Sequence, residues 1–234
     1  MNKRRIKSFI LPAAFILLAA GMGILFWPGI SEFSYQIQAQ RTIRGFSERT
    51  ALYSETEQDV LYQQMVLYNG RLYKSGQEQL VDAFSYETVD FSLKEFGFAE
   101  EMAASLSIPR LDLELPVYLG ADKENLRLGA AHLTQTSLPV GGVNTNAVIA
   151  AHRGMSGAKM FRHIDQLEIG DMIYVTNFRE TLTYQVAEIS IIKPDEINRI
   201  LIQPGRDLVT LISCNPYGYN YERYVVYGER LFSE

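Results

Sequence analysis

A chain of 234 residues with a single cysteine, Cys214, cannot be held together by an internal disulfide. Its fold has to come from an apolar core, and about 200 residues follow the N-terminal apolar stretch, enough for one sizeable core with an appended segment. The thiol itself is either an inert buried side chain or a nucleophile. It closes an apolar run, Thr210-Leu211-Ile212-Ser213-Cys214, which continues as Asn215-Pro216-Tyr217-Gly218 and reaches Arg223 nine positions on.

The N-terminus carries Lys3, Arg4, Arg5 and Lys7 and then an apolar stretch from Phe9 to Trp27. At ~1.5 Å per residue that stretch is roughly 28 Å long, the thickness of a hydrocarbon core. The basic residues precede it and none follows directly, which keeps residues 1–8 as a cytoplasmic tail and puts the rest of the chain outside the cell. A cleaved signal peptide is the rival reading. The run is long for one, and no clear A-x-A site follows it. We expect a retained signal anchor at 9–27, hence a single-pass protein of the cell membrane with an extracellular domain.

The net charge of −5 is spread without a block of one sign, so nucleic acid is not an expected partner. Glu32 to Gly76 reads as helical, with Val60, Leu61, Met65, Leu67, Tyr68 and Leu72 recurring at helical spacing. Ser54 followed by Glu57 fits a capping box that opens a second helix. From Ala104 the pattern turns into short runs bounded by breakers. Candidate strands are 105–108, 115–118, 147–151, 172–176, 181–192, 208–214 and 223–228, with short helical turns at 123–128, 160–167 and 195–201. The 14 tyrosines, 12 phenylalanines and many β-branched residues suit sheet. Many short strands at this spacing argue for a barrel or sandwich. The expected organisation is a tail (1–8), a span (9–27), a helical stalk with a surface segment (28–103) and a mainly β barrel or sandwich with short helices (104–234).

Three histidines exist, His132, His152 and His163, with no H-x-H, H-E-x-x-H or C-x-x-C spacing, so neither a metal nor an organic cofactor is expected. His152 and Cys214 each stand where an apolar run ends and a loop begins. Arg223 starts the next run after an eight-residue loop. If the last two strands pair, Cys214 and Arg223 meet across the hairpin base. The three would then supply a nucleophile, a proton-transfer partner and a fixed cation for an oxyanion. Arginine stays protonated and cannot serve as the base. Taken singly, such residues are more often a core cysteine, a structural histidine and a surface arginine. Spacing alone therefore reaches only a candidate cysteine enzyme.

The block T-L-I-S-C-N-P-Y-G-Y-N-Y-E-R-Y-V-V-Y-G from Thr210 to Gly228 resembles the active-site strand pair of sortases, most closely the class C, pilin-type members. The likeness extends to Ile108-Pro109-Arg110-Leu111, Leu115–Gly120, Gly129–Leu133, Ser137–Gly142 and Ala150-Ala151-His152-Arg153-Gly154, about the last 130 residues. Ser213 replaces the usual threonine and Tyr224 the usual leucine. Neither change removes a reacting group. The resemblance implies a closed sortase-type β-barrel over 104–234 and a transpeptidase. Cys214 would attack the Thr–Gly carbonyl of an LPXTG-like sorting signal and form a thioacyl enzyme. His152 would move the amine protons, and Arg223 would bind the substrate backbone or the oxyanion. Expected partners are surface or pilin proteins bearing a C-terminal sorting signal, an amine acceptor (a pilin lysine or a peptidoglycan precursor), and the membrane. A peptidase that hydrolyses the same bond, and a non-catalytic surface-binding barrel, stay open as alternatives.

The resemblance also implies a lid ahead of the barrel. Asp82-Ala83-Phe84 stands where class C enzymes carry an Asp-Pro-aromatic motif, so Asp82 would pair with Arg223 and Phe84 would cover the sulfur. Alanine for proline loosens the turn, since proline fixes φ. His132 is expected to be structural and His163 a packing or surface residue. Free cysteine titrates near ~8.5 and free histidine near ~6.5, so an independent pair at pH 7 is thiolate–imidazolium in on the order of one per cent of molecules.

Overall fold

The computed structural model describes residues 3–78, 80, 91–98, 101–155 and 157–232, with side chains from residue 14 on. Asp82 and Phe84 lie outside the described residues. α1 (Lys3–Thr50) is one unbroken helix that runs on through Pro28-Gly29. Its N-terminal part is long and apolar enough to cross a membrane and is not buried against protein. Its C-terminal part turns Tyr35, Ala39 and Phe46 toward the domain, at roughly helical spacing. The chain then breaks at Ala51–Ser54, and α2 (Glu55–Ser75) begins with the expected capping box: the Glu57 N–H donates to Ser54 Oγ, and the Ser54 N–H donates to the Glu57 carboxylate at 2.8 Å. Gly76 closes α2 at a φ of 69°, in the left-handed region where glycine meets no Cβ penalty.

Eight strands follow: β1 (Met102–Ile108), β2 (Leu113–Leu119), β3 (Ala130–His132), β4 (Thr145–Ala150), β5 (Met172–Asn177), β6 (Thr181–Ile192), β7 (Asp207–Asn215) and β8 (Glu222–Arg230). A short helix, α3 (Lys123–Leu128), lies between β2 and β3. The strands close into a barrel in the order β1-β2-β3-β4-β7-β8-β6-β5. Two neighbouring pairs are parallel, β2–β3 and β4–β7, and the others antiparallel. β3 escapes the sequence pattern because it is only three residues, Ala-Ala-His, with no β-branched or aromatic side chain to mark it.

β4 and β7 read as continuous apolar runs because both of their faces are covered. Ile149, Val209, Leu211 and Val226 point into the barrel with Leu106, Leu115 and Phe161. Val148, Ala150, Ile212, Val225 and Tyr227 point outward and are covered by Ile192, Ile200 and Leu126. Each fully buried Leu or Ile contributes about 2 kcal/mol. Gly228 marks a close approach inside: a Cβ there would come within 2.9 Å of Val209 and 3.1 Å of Tyr184.

α2 is fastened to the barrel by polar groups as well. Asn69 donates to the Leu138 carbonyl at 3.1 Å and accepts from the Leu138 N–H at 2.7 Å, in a buried setting. Gln77 donates to the Gln135 carbonyl and accepts from the Ile202 N–H. The same loop is braced by His132, which is fully buried, as a structural histidine should be. Its Nε2 lies 3.0–3.1 Å from the carbonyls of Ser137 and Thr136, so Nε2 carries the hydrogen. Nδ1 has no hydrogen-bond partner among the described residues. Burial drives the His132 pKa down to about 4, against the opposing pull of the two carbonyls.

The unfolded chain therefore takes up a proton near pH 6.5 that the folded one refuses until about 4. The stability this provides is complete above about pH 6.5 and fades as pH falls toward 4, a loss of about 3 kcal/mol. Urea unfolding at pH 7 and pH 4.5 is expected to show a large drop in midpoint for the wild type and a smaller one for His132→Gln. Equal drops in the two proteins would contradict this account.

Candidate active site

The β4–β7–β8 register brings the three sequence-selected residues into one row. In the parallel pair, Ala150 lies beside Ile212. The alignment runs on past the end of β4, where the Ala151 N–H donates to the Ile212 carbonyl at 3.3 Å. One step further, His152 comes level with Cys214. On the other flank Cys214 pairs directly with Arg223. Neighbouring strands lie about 4.8 Å apart, so the thiol, the imidazole just past the end of β4 and the guanidinium stand side by side at one height. Period-two alternation puts His152, Cys214 and Arg223 on the same side as Ala150, Ile212 and Val225, which is the outer face of the barrel wall and not its lumen.

Ser213 has a defined job in this alignment. It is fully buried, and its Oγ donates to the Ala151 carbonyl at 2.8 Å, tying the residue before the thiol to the residue before the imidazole. A threonine supplies the same hydroxyl, which is why the exchange leaves the row intact. Cys214 is partly exposed. His152 is half-buried, and desolvation holds its pKa below the usual 6.5. Arg223 is 9% exposed, and its Nη1 donates to the carbonyls of Asn220 and Glu222 at 2.9 and 3.0 Å. The loop carbonyls thus aim the guanidinium at the hairpin base.

Beside the row lies an apolar face floored by Val148, Ala150, Ile212 and Val225 and edged by Ile192, Ile200 and Leu201. Leu80, 2% exposed, lies on it. A cavity of about 320 Å³ among Tyr53, Leu61, Phe96, Phe98 and Phe178 is at the other end of the barrel, away from the sulfur. His163 is exposed, with Gln166 near its Nδ1, and takes no part. No cluster of three metal-ligating side chains occurs among the described residues.

One residue beside the row escaped the sequence reading. Arg153 is 8% exposed and lies against the end of β7 that carries Cys214. Its Nη1 donates to Asn215 Oδ1 at 2.8 Å and to the Cys214 carbonyl at 3.3 Å. Its Nη2 pairs with Asp165 at 3.0 Å, and its guanidinium stacks 5.1 Å from the Tyr224 ring. Asn215 in turn donates to Glu222 at 2.9 Å. Asp165, Arg153, Asn215 and Glu222 thus join the His152 loop, the end of β7 and the start of β8. Tyr224, in place of the usual leucine, supplies the ring under the cation. The only sequence signal was an arginine directly after His152, and that does not reveal a partner 61 residues away. Arg153→Lys keeps the charge and loses the fork. It is expected to lower kcat about 10-fold or more with little change in KM. An unchanged kcat, measured alongside an unchanged melting temperature, would show that the fork holds nothing that matters.

Comparison with known proteins points to one family. A sortase-domain family profile matches residues 106–231. Sortase A of Bacillus anthracis is 29% identical over 233 residues, covering 98% of this chain and 96% of that one. Among solved structures, sortase C1 of GBS Pilus Island 1 superposes with a TM-score of 0.74 at 31% identity, over 84% of this chain and 93% of that one. Clostridium perfringens sortase C, solved with the C-terminal cell wall sorting motif, superposes with a TM-score of 0.72 at 34% identity, over 83% and 100% of the two chains.

Proposed function

The chain belongs to the sortase family, with class C sortases as its structural neighbours, and on that footing we propose that it is a cysteine transpeptidase acting on an LPXTG-like sorting signal, with His152, Cys214 and Arg223 as its reacting groups. The observation that carries this reading is the single row of three residues across β4, β7 and β8, on the face that also presents the apolar strip. A sorting signal laid along that strip brings its Thr–Gly bond to the sulfur. The likeness to an enzyme solved with its sorting motif supports such a placement.

In this mechanism the Cys214 thiolate adds to the threonine carbonyl carbon, and the electron pair moves to the oxygen. Arg223 holds the oxyanion. The tetrahedral species collapses, the C–N bond breaks, and the His152 imidazolium gives its proton to the leaving glycine amine. An incoming amine loses a proton to His152, attacks the thioester carbonyl and releases the thiolate. The acceptor is a pilin lysine or a cell-wall precursor. The α1 apolar segment at 9–27 serves as the anchor, with residues 1–8 inside and the barrel outside. The lid reading of Asp82 and Phe84 draws support from Leu80 and Gln77, which bring the chain onto the active-site face just ahead of them.

A sorting-signal peptide incubated with enzyme is expected to give a thioacyl adduct by intact mass and an amine-dependent ligation product. Cys214→Ala removes both, His152→Ala lowers turnover about 10²–10⁴-fold, and Arg223→Ala lowers it about 10²–10³-fold. Release of acid with no dependence on the amine would make the protein a hydrolase, and no adduct at all would make it a binding barrel.

The pH profile follows from His152. Burial lowers its pKa, so the imidazolium needed to protonate the leaving amine is scarce at neutral pH and recovers as pH falls. Once pH is below the His152 pKa, further acid adds no imidazolium and only removes the attacking anion, so the acid limb of kcat/KM is expected below pH 6.5. A limb at or above 6.5 would mean that the imidazolium is stabilised in the free enzyme and that desolvation does not dominate there.

A further inference from the structure

The apolar segment and the active-site rim lie at the same end of the molecule. α1 meets the barrel first at the loop that follows His152: Ser31 lies against Gly157, and Glu32 pairs with Lys159 at 3.0 Å. Tyr35 then donates to the Leu128 carbonyl at 3.1 Å. Further along, Phe46 packs with Leu119 and Phe178, which belong to the opposite end of the barrel. The helix thus climbs from the His152 rim to the far rim. At ~1.5 Å per residue the end of the apolar stretch at Trp27 is about 7 Å from Glu32, and Thr50 is about 27 Å beyond that.

The same rim exposes a cluster of aromatic side chains. Tyr217, Tyr219 and Tyr221, in the loop between Cys214 and Arg223, are 56%, 57% and 66% exposed. Tyr219 and Tyr221 stack on each other at 5.2 Å. They are continuous with the foot of α1: the loop that touches Ser31 and Glu32 also brings Gly154 against the Tyr217 ring, where a Cβ would lie 3.3 Å away. Three tyrosines on a six-residue loop are costly to leave in water. Tyrosine is at home at the membrane surface, with its ring among the upper acyl chains and its hydroxyl among the headgroups.

We infer that the barrel stands on the bilayer with its active-site rim facing the lipid, Tyr217, Tyr219 and Tyr221 seated in the headgroup layer beside the point where α1 leaves the membrane. The inference rests on residues 9–27 being the membrane span proposed above. The occupant of the tyrosine surface is the lipid headgroup layer, because the helix that enters the membrane packs against the same loop, at Gly157 and Lys159, whose Gly154 lies against the Tyr217 ring. Cys214 then works on the order of 10 Å above the headgroups, since only about three residues of rising hairpin separate it from the loop tip.

The test uses the full chain in nanodiscs of equal parts phosphatidylglycerol and phosphatidylcholine. Cys214→Ala leaves no native thiol, and one nitroxide is attached in turn at Leu18→Cys, Asn220→Cys or Glu180→Cys. Asn220 sits among the tyrosines without removing one, and Glu180 lies on the turn at the far end. Collision with oxygen and with a water-soluble nickel chelate reports depth. The expected result is Leu18 within the acyl chains, Asn220 at headgroup depth and Glu180 in bulk water. Adding Tyr219→Ser and Tyr221→Ser is expected to at least halve the lipid exposure of the Asn220 label. Leu18 in lipid with Asn220 as aqueous as Glu180 would overturn the rim-down placement and leave the anchor standing. Leu18 in water would overturn both.

Discussion

The structure depends on the parallel pairing of β4 with β7, flanked on its other side by β8. Parallel neighbours point the same way, so the residues just past their C-terminal ends emerge together at one rim. Here those residues are His152 and Cys214. The antiparallel return of β8 then brings Arg223 back to the same level. A shift of one residue in either pairing would send one member of the row to the lumen and the others to the outer face. The register is pinned by apolar side chains on both faces of β4 and β7, and at its end by the Ser213 hydroxyl on the Ala151 carbonyl.

Around that row the fold keeps two kinds of support apart. The apolar interior fixes the strands, while a charged and amide network of Asp165, Arg153, Asn215 and Glu222 fixes the loops that leave them. Loops lack a ladder of their own, so their backbone groups take partners from side chains. Arg153 suits this because its fork reaches two acceptors and a carboxylate at once, and the Tyr224 ring covers its plane. The helices do related work at larger scale. α2 is clasped to the barrel through Asn69 and Gln77, and α1 ties the whole domain to the apolar segment. The apolar helix and the Arg153 network therefore meet at the same loop, where Gly157 and Lys159 touch α1 and Arg153 reaches Asn215.

Much of this was legible before any coordinates. The short apolar runs bounded by Pro and Gly gave away seven of the eight strands, because side-chain alternation and turn chemistry are local. The Ser54–Glu57 capping box was readable for the same reason, since both partners sit within one turn. β3 was not, having too few residues to show a period. Neither was the continuity of α1: span and stalk were read as separate segments, yet one helix runs from Lys3 through Thr50. Arg153 looked like a neighbour of His152 and nothing more, because its partners Asn215 and Asp165 come from distant parts of the chain.

By itself the sequence determined which chemistry is available: one thiol, one histidine and one arginine at run ends, an apolar N-terminal segment, and a family pattern spanning the last half of the chain. These are properties of residue type and of neighbours within a turn or two. Only the tertiary structure decided that the three groups share the outer face of the wall, that Leu80 lies on the apolar strip beside them, and that this rim is the one from which α1 departs. Those facts depend on strand order and register. Both are set by long-range packing between segments that a local pattern cannot pair.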